Sequence, residues 1–271
     1  MPDVPEQAGV VDGATAASTL DDERPLARHR WWSLVFAVAG VALVPWIVVL
    51  ALVQPRVAPV GDLALAAGGA MATTTAGLLA SALLLLNRSP FLLMTTSGTA
   101  TVALCTGFFH VVTGTASNPR ASAFATLLVV VPVAVLCVVV VRRGPGGSRT
   151  TDRLFVLLFV LAAVATVLAW ARAASAGFDA QYAHHLKLAW VVLDVAEAAV
   201  LLTTAAALRW HPGRVAPAAA ASGVLLCCDV WFNVVGAIGE ARTNAIQMAF
   251  VSIPLAVVAF ALGARAIRRA R

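Results

Sequence analysis

The apolar residues of this 271-residue chain are gathered into eight long blocks, and this pattern constrains the fold more than any other feature. Each block is about 20 residues long, the length of helix that crosses roughly 30 Å of hydrocarbon at about 1.5 Å per residue. The blocks cover residues 31–53, 62–86, 90–113, 121–141, 154–174, 188–208, 215–236 and 246–266. The chain is also 61% hydrophobic and only 12% charged, which leaves too little polar surface for a soluble globule. We therefore predict an all-α, polytopic membrane protein with eight transmembrane helices.

The first 27 residues differ in composition from the rest of the chain. They are acidic, rich in Ala and Gly, and without apolar periodicity. No basic stretch opens the chain, and the first apolar block is too long for the core of a signal peptide, so we expect the first helix to be retained. Residues 1–27 are predicted to form a disordered cytoplasmic tail.

The basic residues are distributed unevenly between the two sides that eight spans would create. With the N-terminus inside, 14 of the 19 Lys and Arg residues fall in inner segments and 5 in outer ones. The five outer residues are Arg56, Arg120, Arg172, Lys187 and Arg242. The positive-inside rule then predicts a multi-pass protein of the cell membrane with both termini cytoplasmic. The net charge of +6 is explained by anchoring to the lipid bilayer, so nucleic-acid binding is not expected.

One ten-residue stretch occurs twice with small changes. CTGFFHVVTG begins at Cys105 and CDVWFNVVGA begins at Cys228, which is 123 positions later. With a one-residue gap, the same alignment matches VVVPVAVL at 129–136 with VSIPLAVV at 251–258. Because these matches share one register, we interpret them as a tandem duplication of a four-helix unit.

The duplication predicts how the chain is organised. The first four-helix repeat is predicted at 28–143, a cytoplasmic linker at 144–152, and the second repeat, with a basic C-terminal end, at 153–271. Each unit has an even number of spans, so the two repeats should be parallel and related by an axis along the membrane normal. A site that both halves share would then lie at the interface between them.

Three acidic residues lie inside the predicted spans of the second half. Asp194 and Glu197 are three residues apart on one helix face, and Asp229 is four residues before Asn233 on the next helix. The aligned residues of the first half, which carry no charge, are Met71, Thr74 and Thr106. Ionisable groups inside a bilayer are costly and by default indicate function. Full ionisation would bury three like charges, so we expect at least one of these acids to hold a proton near neutral pH.

The candidate residues for binding an ion or a substrate include polar neighbours of the acids. The set is Asp194, Glu197, Asp229, Asn233, Thr106 and His110. The segment HHLK at 184–187, predicted to be an outer loop, could also help to bind a cation. This spacing matches no metal-ligand pattern, so neither a metal site nor a cofactor is expected. Alternatively, the acids are hydrogen-bonded and only hold helices together.

Two short motifs lie around these acids. WVVLDVAEAAVLL (190–202) contains Leu-Asp-x-Ala-Glu, and CCDVWFNVV (227–235) contains Asp-x-Trp-Phe-Asn. In these motifs the chain resembles a group of uncharacterised multi-pass membrane proteins of actinobacteria, in which the second motif ends in Asp or Asn. The resemblance covers the predicted sixth and seventh spans, and it implies a class of membrane protein without an established activity.

Three classes of function are compatible with the sequence. The first is a proton- or ion-coupled transporter or permease for an unidentified small molecule or ion. The second is a non-catalytic membrane assembly partner or sensor. The third is an intramembrane enzyme that uses His110 and Asp229, which is the least expected because the common nucleotide, serine-hydrolase and zinc-protease motifs do not occur in the chain. Acids that face a water-accessible cavity would favour the first class, and acids sealed in a dry helix contact the second.

Overall fold

The computed structural model describes residues 30–45, 63–113, 135, 156–164, 184–237 and 239–270. Within this part, seven α-helices and one short 3-10 helix are present and no β-strand occurs. The helices are α1 (Arg30–Pro45), α2 (Leu63–Leu86), α3 (Leu92–Thr113), α4 (156–164), α5 (His184–Trp210), α6 (Val215–Gly236) and α7 (Gly239–Arg269). The 3-10 turn Pro212–Arg214 joins α5 to α6. The all-α prediction is confirmed for these residues.

Several of the helices are suited to a membrane. Four stretches are long and apolar enough to cross one, namely Gly68–Leu86, Val191–Trp210, Pro212–Gly236 and Arg242–Arg269. Arg30–Pro45 and Leu92–Phe108 are shorter apolar helices. Packed helices of this length and composition indicate a helical membrane protein. Apart from Val135, the predicted span at 121–141 lies outside the described residues, as do the tail 1–27 and the linker 144–152.

The helices extend beyond the apolar blocks at two places. HHLK at 184–187, predicted as an outer loop, is the first turn of α5, and the polar segment 239–245 opens α7 ahead of its apolar block. Neither segment contains proline, and the one glycine in the two segments is Gly239, the first residue of α7. The backbone of both segments can therefore form a helix. The loop prediction for 184–187 is therefore wrong. Hydropathy marks the part of a helix that suits hydrocarbon, whereas backbone hydrogen bonding determines where the helix begins.

Helices α3 and α6 form the central pair of the bundle. α2 packs against α3 and also contacts α6, α5 packs against α6 and also contacts α3, and α7 packs along α6. Small residues permit the close approach of α3 and α6: a Cβ atom added to Gly98 would lie 3.0 Å from Val224. The Ser97 hydroxyl also donates a 2.7 Å hydrogen bond to the carbonyl of Pro217. The first-half helices α2 and α3 therefore lie directly against the second-half helices α5 and α6.

Two buried apolar clusters have members at corresponding positions in the chain. One cluster contains Phe36, Leu78, Ala82, Leu85 and Ala103. The other contains Phe159, Leu201, Ala205, Leu208 and Leu226. Each member of the first set lies 123 positions before its counterpart in the second. At these positions, the helices of the two halves bury the same faces.

Nearly all the described arginines lie at one end of the bundle. The α2–α3 turn and the α5–α6 connection lie at this end. The start of α1 is placed there by a 2.9 Å hydrogen bond from the Ser33 hydroxyl to the Ala82 carbonyl, and the end of α7 by the approach of Gly263 to Met94. The residues of this arginine end are Arg30, Arg88, Arg209, Arg214, Arg265, Arg268 and Arg269. Arg242, near the start of α7, lies at the opposite end.

Candidate functional site

The three intramembrane acids lie in the half of the bundle opposite the arginine end. Asp194 and Glu197 follow Val191, where the apolar stretch of α5 begins, and Asp229 precedes Gly236, where α6 ends. Counted along each helix from Val191 on α5 and from Gly236 on α6, the acids lie roughly 5–10 Å into the apolar stretch at 1.5 Å per residue. The acids of α5 and the acid of α6 are therefore at similar depth.

The three acids lie at similar depth on α5 and α6, two helices that pack against each other. The charges of Asp194 and Glu197 are near enough to influence that of Asp229. Glu197 is the most buried, with 6% of its surface exposed, whereas Asp194 and Asp229 are partly buried. We call these three residues the carboxyl cluster.

Asn233 orients the side chain of Asp229. Its amide Nδ2 donates a 2.7 Å hydrogen bond to Oδ1 of Asp229, one turn earlier on α6. The spacing of four residues predicts that the two side chains share a helix face, and this is confirmed. An amide N–H donates to a carboxyl oxygen in either protonation state, so the contact positions Asp229 without requiring it to be charged.

A third apolar cluster, here called the seam cluster, joins the two halves of the chain. It contains Ala66, Ala70, Val102, Cys105, Leu193, Leu225, Cys228 and Phe232. These residues come from α2 and α3 on one side and from α5 and α6 on the other. Leu193 and Cys228 directly precede Asp194 and Asp229, which places the carboxyl cluster at the edge of the seam. Movement of the helix pairs along the seam would therefore change the surroundings of the carboxyl groups.

Cys105 of α3 and Cys228 of α6 meet within the seam cluster. Both are buried, free thiols of the same apolar cluster, near enough for the two thiols to interact. They are also 123 positions apart, and α3 and α6 both run from the arginine end to the opposite end. Under the predicted duplication, this is a contact between equivalent residues of the two repeats.

Trp231 ties α6 to α2 beside the carboxyl cluster. Its indole Nε1 donates a 2.9 Å hydrogen bond to the carbonyl of Ala66. The ring covers Gly69, where an added Cβ atom would lie 2.7 Å from Cζ2 of the indole. The sequence indicates only that Trp231 lies towards a membrane interface, and it does not show this partner. The available signal is the position of the indole two residues after Asp229 in the Asp-x-Trp-Phe-Asn motif.

We expect Gly69→Ala to destabilise the protein, because the new methyl group would overlap an indole ring that the Ala66 carbonyl holds in place. Overpacking of this kind costs about 1–3 kcal/mol. Gly68 is a matched control, since nothing lies within 4 Å of a Cβ atom added there. Gly68→Ala should be neutral or stabilising by up to about 1 kcal/mol through helix propensity. Unfolding in detergent, followed by tryptophan fluorescence, compares the two, and equal effects would contradict the contact.

The other two candidate residues, Thr106 and His110, lie on α3. Thr106 is buried, but its hydroxyl donates a 2.7 Å hydrogen bond to the Val102 carbonyl of its own helix. A threonine hydroxyl has a single hydrogen to donate, so Thr106 offers no donor to a carboxyl group in this arrangement. His110 lies within α3, and its side chain lies outside the described residues.

Neighbouring carboxyl groups in a region of low dielectric favour a state in which at least one of them holds a proton. Among the residues that the structure describes, no three His, Cys, Asp or Glu side chains are arranged to hold a metal ion. Comparisons with protein-family models, curated proteins and solved structures give no match. The resemblance to actinobacterial membrane proteins stays a prediction.

Proposed function

We propose that this chain is a membrane transporter or permease in which the carboxyl cluster takes up and releases a proton or a small cation. The observation that carries the proposal is that two packed helices, α5 and α6, place three acids at similar depth, with Glu197 buried between helices. Acidic groups at such depth are costly, and a cluster of three concentrates that cost at one place. A change in the charge of the cluster is the step that would couple an ion to the movement of a substrate.

The coupling follows from electrostatic repulsion. Like charges repel one another more strongly inside a protein than in water, because the effective dielectric constant is lower there. Three ionised carboxylates would therefore push α5 and α6 apart, and a bound proton or cation relieves this repulsion. The occupancy of the cluster thus biases the packing of the two helices that carry it.

We further propose eight transmembrane helices, built as two parallel four-helix repeats with cytoplasmic termini. Three observations support this: five pairs of core residues at one offset, the contact between Cys105 and Cys228, and the common direction of α3 and α6. In a transporter of parallel repeats, one half rocks against the other around the shared interface. The seam cluster is that interface, and the carboxyl cluster lies at its edge.

The proposed topology predicts the location of each connection. The seven residues of the arginine end belong on the cytoplasmic side under the positive-inside rule. Reporters fused at the N-terminus, at position 147 and at the C-terminus should therefore read cytoplasmic, and a reporter at position 178 should read external. An external reading at position 147 would refute both the eight spans and the parallel repeats.

Infrared spectroscopy tests the chemistry of the cluster without knowledge of the substrate. The purified protein should show the C=O band of a buried carboxylic acid near neutral pH, because full ionisation would bury three like charges. Asp229→Asn and Glu197→Gln should each alter this band, whereas Glu240→Gln, an exposed acid at the start of α7, should not. If no protonated carboxyl is detected between pH 5 and about pH 9, proton coupling through this cluster is wrong.

The alternative is a non-catalytic assembly component in which the acids join helices. The hydrogen bond between Asp229 and Asn233 favours it, since such a bond satisfies a carboxyl group without any ion. The cavity that the structure describes between α2, α3, α6 and α7 is also not lined by any of the three acids. The transporter proposal predicts that uncharged variants of the acids fold but lose activity. The assembly proposal predicts that these variants lose folded protein, while the molecules that still fold work normally.

A further inference from the structure

An apolar groove lies between α2, α3, α6 and α7, and it has a volume of about 670 Å³. Its floor includes the buried residues Gly98, Val102 and Ala220, and its rim includes the exposed residues Val257 and Ala261. The volume lies within the range of about 300–1,000 Å³ that is usual for ligand pockets. None of the three acids lines the groove, so a molecule bound in the groove would occupy a site separate from the carboxyl cluster.

The groove has the length of one lipid leaflet. It extends along α3 from Phe91, beside the arginine end, to Val102 near the middle of the helix. This distance is about 16 Å at 1.5 Å per residue, compared with about 15 Å for half of the hydrocarbon core. An acyl chain that enters from the arginine end would therefore be covered along its length.

Two of the three threonines in the lining offer no hydroxyl hydrogen to an occupant, and the third is Thr95. The hydroxyl of Thr73 donates to the Gly69 carbonyl at 2.9 Å, and that of Thr99 donates to the Thr95 carbonyl at 2.8 Å. These two threonines use their hydrogens within their own helices. Most of the remaining lining is alanine, valine, methionine and phenylalanine, which favours a hydrocarbon occupant over water or a polar solute.

Two exposed arginines lie close in the chain to lining residues of the groove, towards the arginine end of the bundle. Arg268 follows Ala264 by one helical turn on the face of α7 that lines the groove, and Arg88 precedes Phe91 in the α2–α3 turn. Arg88 has a φ of 48°, in the left-handed region that residues other than glycine adopt reluctantly. Backbone bonds from Arg88 N to the Leu85 carbonyl and from Ser89 N to the Leu84 carbonyl close this turn as a Schellman motif. The turn therefore presents a guanidinium group where a glycine would be the ordinary choice.

We propose that the groove binds an acyl chain of an anionic phospholipid, with the phosphate of the lipid beside Arg88 and Arg268. The apolar lining favours an acyl chain, and the length of the groove matches one leaflet of the bilayer. The two arginines favour a headgroup with negative charge. This lipid is a bound component of the protein in the leaflet at the arginine end. The proposal does not depend on the function of the carboxyl cluster.

Native mass spectrometry of the full-length protein tests this site. Protein in detergent is equilibrated with equal amounts of phosphatidylglycerol and phosphatidylcholine that have the same acyl chains but distinguishable masses. Phosphatidylglycerol should be retained in preference. Each of Arg88→Asn and Arg268→Gln should lower this preference about fivefold, because one arginine near a lipid surface contributes a factor of this size. Asparagine is chosen at position 88 because it tolerates the left-handed conformation.

The controls separate the groove from general attraction to the protein surface. Arg242→Gln removes an exposed arginine at the opposite end and should leave the preference unchanged. Ala261→Phe should fill the groove and reduce retention of both lipids, whereas Ala199→Phe, at an exposed position on α5 outside the groove, should not. The proposal is overturned if Ala261→Phe leaves lipid retention intact, or if both lipids are retained equally by the unaltered protein. It is also overturned if Ala261→Cys forms a disulfide with Cys137, because the groove would then be covered by the chain itself.

Discussion

Under the proposed transporter function, Asp229→Asn is expected to abolish solute-driven proton movement while leaving the fold intact. The substitution keeps the size of the side chain and its place beside Asn233, but it removes the group that gains and loses a proton. Asp194→Asn should have the same effect, because the two carboxyl groups act as one interacting cluster. The measurement uses inside-out vesicles that respiration has acidified. A pH-sensitive dye then shows whether an added solute dissipates the pH gradient across the vesicle membrane. With either variant, the response should fall to that of vesicles without the protein.

A matched acid outside the cluster controls for general effects of charge. Glu240 is exposed at the start of α7, and Glu240→Gln should retain the full response. Size-exclusion profiles and melting temperatures show whether each variant is folded. If the Asn variants lose folded protein but the molecules that remain respond normally, the acids serve only to hold helices together. The assembly proposal would then replace the transporter.

Oxidation by iodine is expected to join Cys105 to Cys228 in most molecules. Each thiol loses one proton and one electron as the S–S bond forms, and iodine is reduced to two iodide ions. The contact between these side chains across the seam makes the reaction intramolecular and therefore fast. The chain used carries Cys137→Ser and Cys227→Ser, so that only this pair can react. After proteolysis in the segment 144–152, the two halves should remain joined until a reductant is added.

The neighbouring cysteine provides the control for this experiment. Cys227 is adjacent in the chain but exposed, on a different side of α6 from Cys228. A chain with Cys137→Ser and Cys228→Ser, which retains Cys105 and Cys227, should show little cross-linking. Equal cross-linking of the two chains would contradict the seam and would remove one support for the parallel repeats.

Features that arise within a single helix follow directly from the sequence. The limits of α6 agree with the predicted span at 215–236, since apolar length and helical rise are properties of one segment. The shared face of Asp229 and Asn233 follows from the helical period alone. The similar depth of the acids on α5 and α6 follows in the same way, because it is counted along the apolar stretch of each helix.

Contacts between helices were decided by the tertiary structure. Nothing in the local pattern indicates that the Trp231 indole would bond to Ala66, which is 165 positions away. This outcome depends on which small residues let two helices approach and on how far each helix is rotated, and neither quantity is encoded in one segment. The sequence by itself determined a helical membrane protein with acids on defined helix faces. Only the packing of α5 against α6 decided that those acids form one cluster, because side chains on separate helices meet only when the helices are docked.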